Sequence, residues 1–213
     1  MSPIDSIHEL LEKSSAAHTH ICPRQVLGVR MGLAGGKSLG LELPIAKKEL
    51  LVIAETDGCF VDGISAATGA AVGHRTLRIE DYGKIAATFI DPRSGYAVRI
   101  SPGDDIRRRA LLYAPGEERQ YFAQLLGYQV MPEQELLNIQ EVRLMLPVKE
   151  IISRPGVRAI CSACGEEIIN EREVCSQGQV FCRACYGSAY YEPVGLGVPL
   201  AFLVRASQDV GRL

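Results

Sequence analysis

The sequence lacks an excess of either charge. Twenty-three lysines and arginines stand against 25 aspartates and glutamates, a formal charge of −2, which argues against a general binder of nucleic acid or anionic membrane. It also lacks a long hydrophobic run. The longest apolar stretch near the end, Val194 to Val204, is about half of the ~20 residues a membrane span needs. The N-terminus, MSPIDSIHELLEKSSAAH, has no basic region and no apolar core, so no signal peptide is expected and the setting is read as cytoplasmic. Internal repeats and low-complexity segments are absent. So is a cofactor-binding glycine loop: GLAGG at 32–36 has no preceding strand of the kind a nucleotide fingerprint requires. Nothing matches a pterin or iron–sulfur motif.

What is present is a globular composition, 47% hydrophobic and 23% charged over 213 residues, enough for one full core and a small module. It also has seven cysteines. A reducing compartment disfavours structural disulfides, so clustered cysteines there point to metal binding or thiol chemistry.

Periodicity places the elements. Ser6 to Ala16 reads as a short amphipathic helix with Ile7, Leu10 and Leu11 on one face. Arg24 to Leu33 reads as a buried helix reaching towards Lys37, with Gly35 and Gly36 weakening its continuation. Leu50 to Ala54 is a buried strand, and FVDGISAATG a helix ending near Gly69. KIAATFI and YAVRI flank the turn DPRSG, a β-hairpin signal. Asp105–Tyr113 and Glu117–Gly127 read as helices, the second carrying Tyr121 and Leu125 at helical spacing with Tyr128. Met131–Leu136 adds one turn, and LNIQEVRLMLP alternates as a strand. The expected class is α+β: N-terminal helices packed on a mostly antiparallel sheet, plus a small C-terminal zinc-binding module. The domains are 1–150 for the core, 151–157 for a linker, 158–192 for the module and 193–213 for a tail.

The module rests on Cys161-x-x-Cys164 and Cys182-x-x-Cys185, separated by residues 165–181. This is the spacing of a four-thiolate structural zinc site, since two thiolates three positions apart in a tight turn can face one ion at ~2.3 Å. Gly165 and Gly187 follow the two pairs, where such turns need a positive φ. Cys175 is spare and reads as a packed hairpin residue. From Val157 to Glu192 three arginines face five glutamates, the wrong balance for gripping phosphates. A structural or protein-partner role is expected.

A second cluster lies in HTHICP at 18–23. Proline suits a first helical position, which makes Cys22 the N-cap of the following helix. Cys59 repeats the arrangement after a strand and the Asp57-Gly58 turn, with Asp62 one turn in. Helix N-termini favour thiolates at both cysteines. If both helices start beside one sheet edge, His18, His20, Cys22, Cys59 and Asp62 can converge. Imidazole with thiolate suits zinc, iron or copper, a second transition metal beside the structural zinc. An extended 18–22 would put His18, His20 and Cys22 on one side. The plain alternatives are a capping or core histidine, an inert buried Cys59 and an Asp62 that only caps its helix.

HTHICPRQVLGVRMG, ETDGCFVDGISAATGAAVGHRTLRIEDYGKIAATF, GYAVRI and the terminal CSACGE…GQVFCRACY together resemble the E-subunit family of formylmethanofuran dehydrogenase. The resemblance spans residues 15–105 and 158–186 and implies a stand-alone member with a zinc-ribbon or treble-clef-like C-terminal module. In the family motif His-Gly-His-x-Cys-Pro-Gly, this chain has His18, His20, Cys22 and Pro23, with Thr19 and Arg24 in place of glycines. Cys59 and Asp62 match the family's Cys-x-x-Asp. Where the family usually shows Gly-Cys-Thr-x-Gly-Lys, the chain has Gly69-Ala70-Ala71-Val72-Gly73-His74, so a cysteine and a lysine are replaced by Ala70 and His74. The family is linked to a molybdenum or tungsten enzyme that fixes carbon dioxide onto methanofuran. The resemblance also implies a homodimer, which the apolar stretch 194–204 would suit if a partner covered it.

Two functional readings follow. One is a metal-binding accessory or regulatory protein with a His/Cys metal or thiolate site and a structural zinc. The other is a metal-dependent enzyme of oxidoreductase or hydrolase type working at the His/Cys pocket, with Cys22, Cys59, Asp62 and His74 as catalytic candidates. A zinc-dependent nucleic-acid binder ranks third because of its charge.

Overall fold

The computed structural model describes residues 3–16, 18–45, 48–192 and 194. Helix α1 (Pro3–Ser15) buries Leu11 and packs Ile7 and Leu10 against the core. Helix α2 (Pro23–Ser38) starts on Pro23, whose missing N–H is no loss in a first turn, with Cys22 extended before it at φ −121°. Strand β1 (Leu51–Ala54) leads through a turn to α3 (Cys59–Thr68), which ends on Gly69 in the left-handed region. Then come β2 (Leu77–Ile79), β3 (Ala87–Ile90) and β4 (Ala97–Pro102), followed by α4 (Ile106–Arg109) and a 3-10 turn over Ala110–Tyr113. Helix α5 (Gln120–Val130), the single turn α6 (Glu133–Leu136) and β5 (Leu137–Val142) complete the domain.

The sheet runs β2-β1-β3-β4-β5. Only β1 and β2 are parallel; the hairpin β3–β4 pairs Ala87 with Ile100, and β5 adds antiparallel to β4. The fold is therefore α+β on a mixed, mostly antiparallel sheet. Helix α2 touches α1, α3, α5, β3 and β4. That central position is why Val26, Val29 and Met31 are wholly buried around its circumference. It also explains why α2 runs through Gly35 and Gly36 to Ser38. A Cβ on Gly35 would sit 2.4 Å from the Phe89 ring, so tertiary packing fills the space and overrides weak helix propensity.

A closer approach joins α2 and α3. A Cβ on Gly28 would meet the Phe60 carbonyl at 2.2 Å, and one on Gly63 would meet the Gln25 carbonyl at 2.3 Å. Two glycines facing each other let the helix backbones touch. The N-termini of both helices are consequently neighbours.

The chain divides into two compact units, Met1–Val148 and Lys149–Leu213. In the second, α7 (Val148–Ile152) precedes two small hairpins, β6 (Arg158–Ile160) with β7 (Glu167–Ile169) and β8 (Val174–Ser176) with β9 (Gln179–Phe181). A wide helical turn over Ala184–Ser188 follows. The segment 153–159, which has linker chemistry in the sequence, is tied into this unit: Arg154 pairs with Glu171, and the Arg172 guanidinium donates to the Ile151 carbonyl at 3.0 Å. The apolar stretch beyond Val194 lies outside the described residues. Among the described residues, no helix is long and apolar enough to cross a membrane.

Candidate functional site

The four cysteines of the second unit are brought together by turns rather than by a core. Gly165 donates its N–H to the Cys161 carbonyl at 3.0 Å, and Ser162 donates to the Val180 carbonyl at 2.7 Å, laying the first turn against β9. Gly165 and Gly187 have φ of 77° and 102°, a region that costs other residues strain. The sulfurs of Cys161, Cys164, Cys182 and Cys185 all lie within 4.8 Å of one another. The Cys182 N–H points at Cys161 Sγ (3.3 Å), and the Cys185 N–H at Cys182 Sγ (3.4 Å). Burial alone would raise the Cys161 thiol; the N–H groups of Cys164, Cys182 and Ala163 outweigh it and bring it down to about 6. Cys185 is pushed up by burial and by its three thiol neighbours. Four sulfurs that cannot all carry charge without a counter-ion fit a divalent metal, which would take Cys161, Cys164, Cys182 and Cys185 as ligands. Cys175 sits exposed on β8, outside the cluster.

The N-terminal cysteines meet by a different route. The glycine contact sets the mouths of α2 and α3 side by side, with Cys22 capping one and Cys59 opening the other. Their sulfurs are 3.2 Å apart. Gln25 fixes the approach: its Oε1 accepts the Cys22 N–H at 2.8 Å and its Nε2 donates to the Ser14 carbonyl at 3.0 Å, locking α1 to the start of α2. Cys59 is raised, first by burial and then by its hydrogen bond to Cys22. This differs from the expectation that both helix mouths favour thiolates. The dipole acts on Cys59, but desolvation and a neighbouring thiol outweigh it.

The pair forms part of the wall of an open groove of about 1140 Å³ that His20 also lines. His20 Nδ1 lies 3.0 Å from Thr19 Oγ1, which leaves Nε2 available to a ligand. His18 is not in the groove wall. Its Nε2 is 2.8 Å from Asp62 Oδ2, so these two candidates hold each other on α3. Ile21 packs against the core, and residues 18–20 form a bend rather than the extended run that would put His18, His20 and Cys22 on one side. Among the described residues, the only set of three or more metal donors drawn together is the four-cysteine cluster. As placed, the N-terminal site thus offers two converging sulfurs rather than an assembled metal shell. Ala70 is buried in the core and His74 is exposed in a turn that does not reach the groove.

Several residues in or behind the groove wall carry no sequence signal that assigns them to it. Tyr121, on the exposed side of α5, is raised by burial and by the nearby Cys22 and Cys59. Tyr128 on the same helix is buried, which pushes its phenol up to about 12. Arg30 of α2 positions α5 by donating to the carbonyls of Tyr128 (2.7 Å), Gln129 (3.1 Å) and Met131 (2.8 Å), a cation at a helix C-terminus where the dipole favours it. Arg99 on β4 forms a two-pronged pair with buried Glu55, at 2.6 and 2.8 Å. That bond holds the Glu55 carboxyl below the usual range. Only long-range pairing brings these residues together, so spacing in the chain could not reveal them.

Residues 17–148, more than half of the chain, match the family described as FmdE, molybdenum formylmethanofuran dehydrogenase operon. A probable S-adenosyl-L-methionine-binding protein of Archaeoglobus fulgidus is 28% identical over 218 residues, covering 92% of this chain and 57% of that protein. The chain therefore spans little more than half the length of this curated relative. The crystal structure of an FmdE-like protein of the tungsten formylmethanofuran dehydrogenase type, from Syntrophus aciditrophicus, superposes with a TM-score of 0.57 at 20% identity, covering 87% of this chain and 95% of that one, a likeness of fold. Both helix mouths and the whole groove lie inside the matched stretch, and the chain belongs to the FmdE family.

Proposed function

We propose that this chain is an accessory or regulatory metal-binding protein. Zinc builds its C-terminal module, and the Cys22–Cys59 thiol pair is the working group of its N-terminal domain. The observation that carries this reading is the 3.2 Å approach of two sulfurs from two separate helix mouths on the wall of an open groove. A metal recruited there would take both sulfurs, with His20 as the available third donor. The enzyme reading is less well supported. Neither Asp62 nor His74 lines the groove beside the two thiols, where a general acid or base for chemistry at that pair would act.

The relative's name raises S-adenosyl-L-methionine as a ligand. At neutral pH that molecule carries a sulfonium and an ammonium against one carboxylate. The groove wall has five cationic side chains and one carboxylate, so the electrostatics oppose that ligand here.

A cytoplasmic setting suits seven cysteines that form no disulfide. A homodimer and a protein partner for the acidic module belong to the same proposal, and sedimentation at micromolar concentration giving a monomer mass would reject the dimer. The central test is elemental analysis under reducing conditions. One zinc per chain is expected, lost in Cys164→Ser and retained in Cys22→Ser. Any second metal should vanish in Cys22→Ser. Zinc absent from the wild type, or unchanged in Cys164→Ser, would overturn the reading.

A further inference from the structure

We propose that the groove beside Cys22 and Cys59 binds a small organic polyanion, a molecule bearing two or more carboxylate or phosphate groups, through Arg24, Lys84 and Arg107. The inference rests on the reading that this groove is the working site, and it names the class of molecule brought to the thiols.

Five cations line the groove: Arg24, Lys84, Arg99, Arg107 and Arg108; Asp105 is the single carboxylate. The chain as a whole carries −2, so this is a local concentration of positive charge rather than a general property of the surface. Two of the five are already neutralised, Arg99 by Glu55 and Arg108 by Asp105 at 2.7 Å. Arg24, Lys84 and Arg107 make no ion pair among the described residues. They also come from three separate places: the first turn of α2, the turn before β3 and helix α4. Chain-local charge patterning would not gather them; the fold does. Lys84 also feels the Glu55 carboxylate, but like charges lining one concavity repel each other, and an anion entering it relieves that repulsion.

One of these cations stands beside the thiols. Arg24 follows Cys22 by two residues at the mouth of α2 and lines the same groove wall as Cys22, Cys59 and Tyr121, so an anion held by Arg24 lies near the sulfurs. A volume of about 1140 Å³ is far more than one inorganic ion fills and suits an organic molecule. The Tyr121 ring, 44% exposed, and the amides of Gln120 and Gln124 supply a flat apolar face and neutral donors for its body. A macromolecular anion is disfavoured because the free cations converge on one groove instead of forming an extended stripe.

The test is calorimetric titration of the full, zinc-loaded chain with two probes. Tricarballylate carries carboxylates only, and 3-phosphoglycerate carries one phosphate and one carboxylate. The probe that binds more tightly assigns the source of the charge. The expected result is one site per chain for at least one probe, weakened by added salt. In the triple variant Arg24→Gln/Lys84→Gln/Arg107→Gln, affinity should fall by about tenfold or more. All three side chains are exposed, so an unchanged thermal melt is expected to show that the variant folds. Arg24→Gln alone, expected to weaken binding less, serves if it does not. Binding should persist in Cys22→Ser/Cys59→Ser, which separates failure of the thiol reading from failure of this one. No binding of either probe at millimolar concentration, binding unchanged in the triple variant, or binding of oligonucleotides in preference to both probes would overturn the proposal.

Discussion

The two cysteine sites reach similar sulfur–sulfur proximity by opposite means. In the C-terminal module, four sulfurs are gathered by short turns and strands of three residues, and of these cysteines only Cys161 is fully buried. Among the described residues of that unit only Ser153, Cys161 and Ile168 are fully buried, so a metal held by the four sulfurs would supply stabilisation that a core supplies elsewhere. In the N-terminal domain, two sulfurs are placed by a core. Glycines let α2 and α3 touch, Gln25 locks the entry to α2, and no ion is needed to explain the contact. The difference teaches where each site is vulnerable: one to loss of a ligand, the other to any change in packing behind it.

Metal removal should separate them most sharply. Chelation, or Cys164→Ser, is expected to unfold the module, since structural zinc sites contribute on the order of 10 kcal/mol. The helical circular dichroism of the N-terminal domain should survive. A common collapse of both signals would erase the contrast.

Packing changes should do the reverse. Gly28→Ala places a methyl 2.2 Å from the Phe60 carbonyl, and forcing helix backbones apart costs about 3 kcal/mol. Thermal unfolding should show that loss with zinc content unchanged. The Cys22–Cys59 pair should also oxidise more slowly, because its spacing depends on the crossing.

A smaller effect is expected at α5. Arg30→Ala strips three carbonyls of a charged donor, a loss of about 2 kcal/mol. Tyr121 should lose its fixed place in the groove, read as altered accessibility to tetranitromethane. Smaller again is the pH term of Glu55. Its carboxyl is held low by Arg99, so the stabilisation is complete above the unfolded carboxylate value of about 4.3 and is lost as pH falls through the lower folded value. Stability measured by denaturant melts should therefore vary less with pH below about pH 4 in Glu55→Gln than in the wild type.

These contrasts also sort what the chain made legible. The four-cysteine spacing, the Pro23 helix start, the DPRSG hairpin and the glycine turns are local signals, and each element forms where its signal lies. Strand β2 carries only three residues, Leu77–Ile79, too few for alternation to show. Gly35 and Gly36 read as weakening the continuation of α2 because the Phe89 ring that fills the space beside Gly35 is remote in sequence. At the N-terminal site the sequence nominated Cys22, Cys59 and His20, and all three line the groove. It could not foresee that His18 and Asp62 would pair with each other. Nor could it foresee Arg24, Lys84, Arg107 and Tyr121 as groove residues, because nothing in their spacing reports a contact made by folding.

The two sulfur sites differ in kind, and one measurement tests that difference directly: mild oxidation of the zinc-loaded chain with diamide, followed by alkylation and mass mapping of every cysteine. The prediction is one disulfide, Cys22 to Cys59, with Cys161, Cys164, Cys182 and Cys185 protected until zinc is chelated and Cys175 alkylated freely. Cys22 and Cys59 alkylated separately after oxidation, or the four module cysteines reacting freely before chelation, would contradict it.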